Sequence, residues 1–489
     1  MNNQTNIASM LQGRLFPKWL VGKSIAFFFV AMLACWVAFG YVPGLDLVLA
    51  ASISVVLFFG AGQAMAIKWV RNSEKLFLRN VFIAGLVVRV LWVLYMYFIF
   101  NPEHYGNTYG DTADVDWYMA FGRGLAEWLT WNSQYSLAQL INEVYMSAID
   151  DVGYPMWLAV EYVLTGGLSY VFIPMLVKCV IGAYCAMCVY RVTKRHFGER
   201  TARIAAIFVC LNPNMIYWCA RMMKEAEMVF ACCMAIDKMD EVLMSGSKLT
   251  FRALLPGLLF GTFLFFLRTA LALAFFLGVI AHLVLASKRV ISFGKKVIAG
   301  LLVAVVLLIG IGTQLIERSS AYLELVRSDS QETNMEWRSG KTGNSFAKYA
   351  GAAVFAPMIF TIPFPTMNEA NEIQYTQVHL AGGSYIKNVL SFFVIVVLFV
   401  LLFSGNWRNH VFIWAYTSVY LVVLVFSSFA QSGRFHMPVL PMLMIFAAYG
   451  LQYVRQDKKF ITMYIYVLLA EVVVCLAWNW FKLAGRGLI

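Results

Sequence analysis

The sequence predicts an all-α, polytopic membrane protein, and three observations carry that expectation. Hydrophobic residues make up 61% of the 489 and charged ones only 13%, against roughly 45–50% and about 25% in soluble domains. Apolar runs recur from end to end, enough for about 12–14 spanning helices at about 20 residues per crossing. Basic residues gather in the segments between those runs, at alternating ends. With a mean hydropathy of +0.71, a soluble globular enzyme is excluded. The net charge of +12 then reads as Lys- and Arg-rich cytoplasmic loops, so no nucleic acid is expected as a partner.

Taken in order, Arg14, Lys18 and Lys23 precede the first run (24–42), and Lys68, Arg71, Lys75 and Arg79 follow the second (47–68). The positive-inside rule puts both groups in the cytoplasm, so the third run (79–100) delivers the chain outside. No A-x-A-like cleavage site follows the first run, which reads as a retained helix. Loop 101–152 is acidic, with Glu103, Asp111, Asp114, Asp116, Glu127, Glu143, Asp150 and Asp151 against Arg123. In 153–190, one crossing plus an interfacial or re-entrant piece, broken near Gly166-Gly167, brings Arg191, Lys194, Arg195, Arg200 and Arg203 inside. Further runs lie at 202–219, 226–244, 253–267, 270–286, 296–315, 387–405, 410–428, 435–454 and 461–481. Alternation leaves 220–225, the turn at Arg268, loop 316–386 and 431–436 outside. The chain thus divides into N-terminal helices (1–100), an outside loop with an acidic motif (101–152), a membrane core (153–315), a second outside loop (316–386) and C-terminal helices (387–489). The nine cysteines, including the Cys185 and Cys188 pair, lie in or beside apolar segments and read as small hydrophobes.

Three constellations could carry chemistry. In GDTADVDWYMAFGRGLAEW (110–128), Asp114 and Tyr118 are four apart, and Phe121, Leu125 and Trp128 continue an apolar stripe. That spacing predicts an amphipathic juxtamembrane helix on the outer surface. Helix capping explains one aspartate there, not Asp111, Asp114 and Asp116 together. Such carboxylates suit a general base acting on a hydroxyl or amine, and equally a divalent cation; the pattern fixes no cofactor. In 212–230, Arg221, Lys224, Glu225 and Glu227 stand where a helix leaves the membrane, either as ordinary snorkelling charges or as a site, with Arg221 and Glu225 on one helical face. Arg268 and Arg434 lie in apolar runs, where an arginine costs about 2.5–3.5 kcal/mol and faces a polar cavity. Arg268 also reads as the turn of a helical hairpin, and Arg434 stands beside His436 and two prolines. Arg89, Glu161, Lys178 and Glu471 are further intramembrane charges that read as structural pairs.

Together these suit a lipid-linked anionic donor. Arg434, Lys224, Arg221 and Arg268 would hold a lipid phosphate at headgroup level and stabilise it as it leaves. An aspartate would activate an acceptor arriving from the water, with Glu225, Tyr118 and His436 as further substrate contacts. No phosphate-binding glycine loop or other energy-coupling motif occurs.

Several short motifs follow one another in a definite order. They are DVDWY (114–118), GYPMWLAVEYVLTGG (153–167), YRVTKRHFG (190–198), Asn212-Pro213, Lys224-Glu225 and GRFHMPVLP (433–441). The series resembles the GT-C superfamily of polytopic glycosyltransferases, in particular the protein O-mannosyltransferases and lipid A aminoarabinose transferases, over about 110–230 and 430–455. The resemblance implies a GT-C-like fold, inversion at the sugar carbon and a polyprenyl-phosphate-linked sugar donor. It also implies Asp114 as base, Glu225 as second acidic residue and Arg434 near the phosphate. The acceptor would be a glycan, glycolipid or protein, and the site would face the periplasm from a bacterial inner membrane. Val115 separates Asp114 from Asp116 where the family has an adjacent acidic pair, which keeps Asp111 a rival, and the first 80 residues have no counterpart. Two other readings stand beside this one. A polysaccharide polymerase or ligase using polyprenyl-diphosphate glycans would rely on Arg327, Arg338 and His379, and a lipid or glycolipid transporter would bind the phosphate without turnover.

Overall fold

The computed structural model describes residues 15–40, 44–110, 113–133, 136, 139–140, 151–167, 170–245, 250–286, 375–426, 433–455 and 457–485. Helices are numbered in chain order among these residues, which contain no strand. The first three apolar runs form α1 (Lys18–Phe39), α2 (Leu45–Lys68) and α3 (Glu74–Tyr95). Ser73 starts α3, its Oγ accepting from the Leu76 amide at 3.4 Å. A wider turn at Met96–Phe100 carries α3 on into α4 (Asn101–Tyr105). After α5 (Ala113–Leu129) and α6 (Gly153–Leu164), Gly166 and Gly167 take φ of +63° and +73°, which breaks the long apolar segment where the sequence placed the break. The chain resumes as α7 (Phe172–Phe197).

The expected crossing at 202–219 is not a single helix. Instead α8 (Glu199–Leu211) has 13 residues, about 20 Å at 1.5 Å per residue, short of the roughly 30 Å hydrocarbon core. Every residue from Thr201 to Leu211 is buried in protein. Asn212 then ends the helix and starts α9 (Pro213–Tyr217), its Oδ1 accepting from the amides of Asn214 (3.1 Å) and Met215 (3.2 Å). An apolar run sheathed by other helices has the same composition as one sheathed by lipid, so hydropathy could not tell them apart.

The remaining helices are α10 (Glu225–Ser245), α11 (Phe251–Leu267), α12 (Thr269–Leu285), α13 (Tyr375–Phe403), α14 (Val411–Phe426), α15 (Gly433–His436), α16 (Leu440–Val454) and α17 (Lys458–Gly485). Six described stretches are long and apolar enough to cross a membrane: Lys18–Phe39, Val48–Lys68, Glu74–Tyr105, Phe172–Phe197, His379–Phe403 and Lys458–Phe481. Shorter apolar helices cover Arg252–Leu267, Thr269–Leu285 and Leu440–Val454. The expected run 296–315 lies outside the described residues. At the centre, α7 packs along α3, α8 and α10, while α13 packs along α2 and α16. The pairs α5 with α6, α12 with α14 and α1 with α17 complete the shell.

Polar residues collect at two opposite ends. At one, Arg203 donates to the carbonyls of Trp69, Val70 and Asn72 at 2.9, 3.1 and 2.7 Å, and Lys194 reaches Glu74 at 2.5 Å. Buried Asp237 and Asp240 take Arg191 and Arg195, and His196 bridges Asp240 and His410 at 2.8 Å each. These segments, apart from 237–240 inside α10, are ones the charge pattern assigns to the cytoplasm. The other end gathers 101–110, 113–118, 151, 221–225, 268 and 433–436, all of which the charge pattern assigns outside. The grouping of loops follows the charge pattern.

Candidate active site

At this second polar end, α5 begins with Asp114 and Asp116 in its first turn, where the helix dipole favours negative charge. Its inner face buries Val115, Tyr118 and Met119, so Asp114 and Asp116 remain exposed. Tyr118 meets the Tyr154 ring edge-on at 5.1 Å, which seats α5 on α6. The start of α6 is pressed against the end of α11: a Cβ on Gly153 would stand 2.8 Å from the Phe266 carbonyl carbon and oxygen. Only a glycine permits that approach.

Arg268 is the turn of the α11–α12 hairpin, with extended backbone at φ −169° and ψ 112°. Its guanidinium lies 4.1 Å over the Phe435 ring and donates to the Tyr420 hydroxyl at 3.4 Å. Tyr420 in turn donates to the Phe435 carbonyl at 2.9 Å, so α15 is held against the hairpin. This places Arg434 between two carboxylates. Its Nη1 donates to Asp114 Oδ2 at 2.9 Å, and its Nε donates to Glu225 Oε1. The Glu225 side chain is fully buried, whereas that of Asp114 is 52% exposed. Lys224 donates to the Asp151 carboxylate and, at 2.7 Å, to the Leu267 carbonyl, and the Tyr118 hydroxyl donates to Asp151 Oδ1 at 3.4 Å.

The electrostatics follow from that arrangement. Burial pushes the Glu225 carboxyl up, and Arg434, with Arg268 and Lys224 behind it, more than offsets this and holds it below the usual carboxylate range. Burial, with the Glu225 charge next, pushes the Tyr118 phenol up, so it stays a donor. Asp114, Glu225 and Asp151 face Arg434, Lys224 and Arg268. Each carboxylate has a cation, but Arg268 makes no ion pair among the described residues.

Of the residues singled out in the sequence, Asp114, Tyr118, Lys224, Glu225, Arg268 and Arg434 therefore meet in one cluster. Asp111 lies outside the described residues, as do Arg327 and Arg338. Asp116 turns away toward the Tyr109 hydroxyl. Arg221 and Glu225 do not share a helical face: Arg221 is extended at φ −123°, ψ 139°, and α10 starts only at Glu225. Arg221 is instead buried under loop 105–110, 3.5 Å from Asn101 Oδ1 and 5.3 Å from the Tyr105 ring. It lies so close to Gly110 that a Cβ there would stand 1.6 Å from Nη1. His436 points to the other side of α15, where its Nδ1 accepts from Lys387 at 2.8 Å. His379 packs among rings, 4.6 Å from Phe100 and 5.1 Å from Trp92. In the sequence Asp151 is one charge of an acidic loop, yet in the fold it anchors Lys224. One signal for it was its place two residues before Gly153-Tyr154-Pro155. Among the described residues no group of three or more His, Cys, Asp or Glu could hold a metal ion.

An exposed carboxylate, a buried one and a cation cluster at one end of an apolar helical bundle define a polytopic membrane protein that can handle an anionic group near a bilayer surface. Residues 80–322 match the Alg9-like mannosyltransferase family. That span carries Asp114, Asp151, Lys224, Glu225 and Arg268. An Archaeoglobus fulgidus oligosaccharyltransferase, solved in complex with zinc and sulfate, is similar at 12% identity over 82% of this chain and 53% of that one, with a TM-score of 0.43. This chain thus spans about half the length of that protein, and a likeness so low bears on nothing further. No curated protein matches. The matched span takes in just under half of the chain, so the likeness to a family of GT-C glycosyltransferases attaches to residues 80–322, while the six long apolar helices make the chain an integral membrane protein.

Proposed function

We propose that this enzyme moves a sugar from a polyprenyl-phosphate-linked donor to a hydroxyl or amine acceptor on the outer, periplasmic face of a bacterial inner membrane. The observation that supports this best is Arg434 held between Asp114 and Glu225, because it joins three segments far apart in sequence into one charged centre. Asp114 is the exposed carboxylate and takes the acceptor proton as the acceptor oxygen or nitrogen bonds to the anomeric carbon. The bond from that carbon to the phosphate oxygen breaks, with inversion, and polyprenyl phosphate leaves. Arg434, Lys224 and Arg268 stabilise the charge that develops on the phosphate, and Arg268, without a carboxylate partner among the described residues, is already available to it. Glu225 is buried and fixes Arg434; Tyr118 and Asp151 fix Lys224. The acceptor is a glycan, a glycolipid or a protein.

The test is sugar transfer by purified protein in detergent with synthetic polyprenyl-phospho-sugars, mannose first because of the matched family. Asp114→Asn should lower the rate at least about 100-fold, the size of a general-base contribution, with the protein still monodisperse. Full activity in both Asp114→Asn and Asp111→Asn variants would refute the reading.

A further inference from the structure

The ion pair between Asp114 and Arg434 poses a problem for the mechanism, since a base already neutralised by an arginine is a poor acceptor of protons. The geometry resolves it. Arg434 presents Nε to buried Glu225 and Nη1 to half-exposed Asp114, so the two carboxylates hold different edges of one guanidinium. The Glu225 edge is closed off from water, whereas the Asp114 edge is the one a ligand can reach. Arg434 has a second restraint through its neighbour Phe435, whose ring is covered by Arg268 and whose carbonyl accepts from Tyr420. A competing anion can therefore replace Asp114 without unseating Arg434.

We infer that Arg434 exchanges counter-ions during the reaction, passing from the Asp114 carboxylate to the lipid phosphate while Glu225 keeps hold of it. This rests on the proposed transfer reaction and adds an order of events to it. The charges balance along the way. In the donor, the phosphate is a diester with one negative charge, and after the sugar leaves it is a monoester that can carry two. Over the same step Asp114 goes from one negative charge to none as it takes the acceptor proton. Arg434 thus loses one anion and gains one, and the charge around it is conserved. Once Asp114 passes its proton to water it again competes for Arg434, which helps expel the polyprenyl phosphate. Base and product are rivals for one guanidinium edge, and Glu225 is a positioning residue that makes the rivalry possible.

The experiment measures binding of a short-chain polyprenyl phosphate, with no sugar, to the full-length protein in detergent. Asp114→Asn removes the competing charge, so exchange requires this variant to bind the phosphate about two- to fivefold more tightly, the worth of a partly exposed ion pair. An affinity that is unchanged or weaker overturns the exchange, because a merely structural Asp114–Arg434 brace predicts that result. If Asp114→Asn does not stay monodisperse, the wild-type protein serves. Carbodiimide labelling of Asp114, read by mass spectrometry, should rise when polyprenyl phosphate is bound, and equal labelling with and without it overturns the exchange. Failure of the transfer reaction is separable. A wild-type protein inert toward every donor removes that reading and leaves the affinity comparison standing, whereas an Asp114→Asn variant that is inactive but binds no tighter removes only the exchange.

Discussion

The buried pair beneath the site allows a quantitative prediction. Lys178 of α7 and Glu227 of α10 are both fully buried, with Nζ 2.8 Å from Oε2. Lys178 also donates to the Met223 carbonyl at 2.5 Å and lies 4.5 Å over the Tyr154 ring. The second Glu227 oxygen has no hydrogen-bond partner among the described residues. Replacing Lys178 with Met leaves a carboxylate in apolar surroundings with nothing to neutralise it, which should cost about 3–5 kcal/mol. Adding Glu227→Gln removes the stranded charge, and such pairs replaced by neutral groups of similar volume are often near neutral in stability. The double variant should therefore recover at least about 2 kcal/mol over Lys178→Met alone, as the coupling of two groups in direct contact. Thermal unfolding in detergent, with monodispersity as a second readout, measures the cycle. Effects that simply add, or a Lys178→Met protein as stable as the wild type, would refute the assignment of this pair as the strut between α7 and α10.

Two further outcomes follow from the geometry. Gly110→Ala meets both a φ of +88° and the Arg221 guanidinium, so it should cost about 1–3 kcal/mol in strain and slow sugar transfer; unaltered unfolding temperature and rate would contradict the close approach. Glu225 has its carboxyl held below the usual range in the folded protein. Such a group contributes stability that is complete above the unfolded value, near 4.3 for a glutamate, and is lost as pH falls through the lower folded value. Below about pH 4.3 the wild type should thus lose stability more steeply than Glu225→Gln, and parallel unfolding curves would argue against it.

The site was legible in the sequence because charge is scarce in this chain. A carboxylate or arginine beside an apolar run carries a desolvation cost that few positions tolerate, so the motif order drew attention to Asp114, Glu225 and Arg434 before any fold was known. What could not be read was pairing across the fold. Asp151 joins Lys224 over 73 positions, and Lys387 meets His436 only because α13 packs along α16, the helix that follows α15. The face expected for Arg221 failed for a local reason: Asn212 and Pro213 restart the helix, and packing then draws 221–224 out of helical geometry. Likewise α1, α2, α3 and α17 overlap the apolar runs that composition marks, with ends shifted by up to six residues, whereas the short α8 depends on what encloses it.

The two polar ends have a joint consequence for α7 and α10. Lys178 grips Glu227 near one end, and Arg191 and Arg195 grip Asp237 and Asp240 near the other. Helices joined at one point can pivot or slide, but helices bolted at two levels cannot. A slip of one helical turn, about 5.4 Å, would strand buried charges at both levels together. These two helices therefore behave as a single spar, and it is against this fixed member that Glu225, two residues from one bolt, keeps its position.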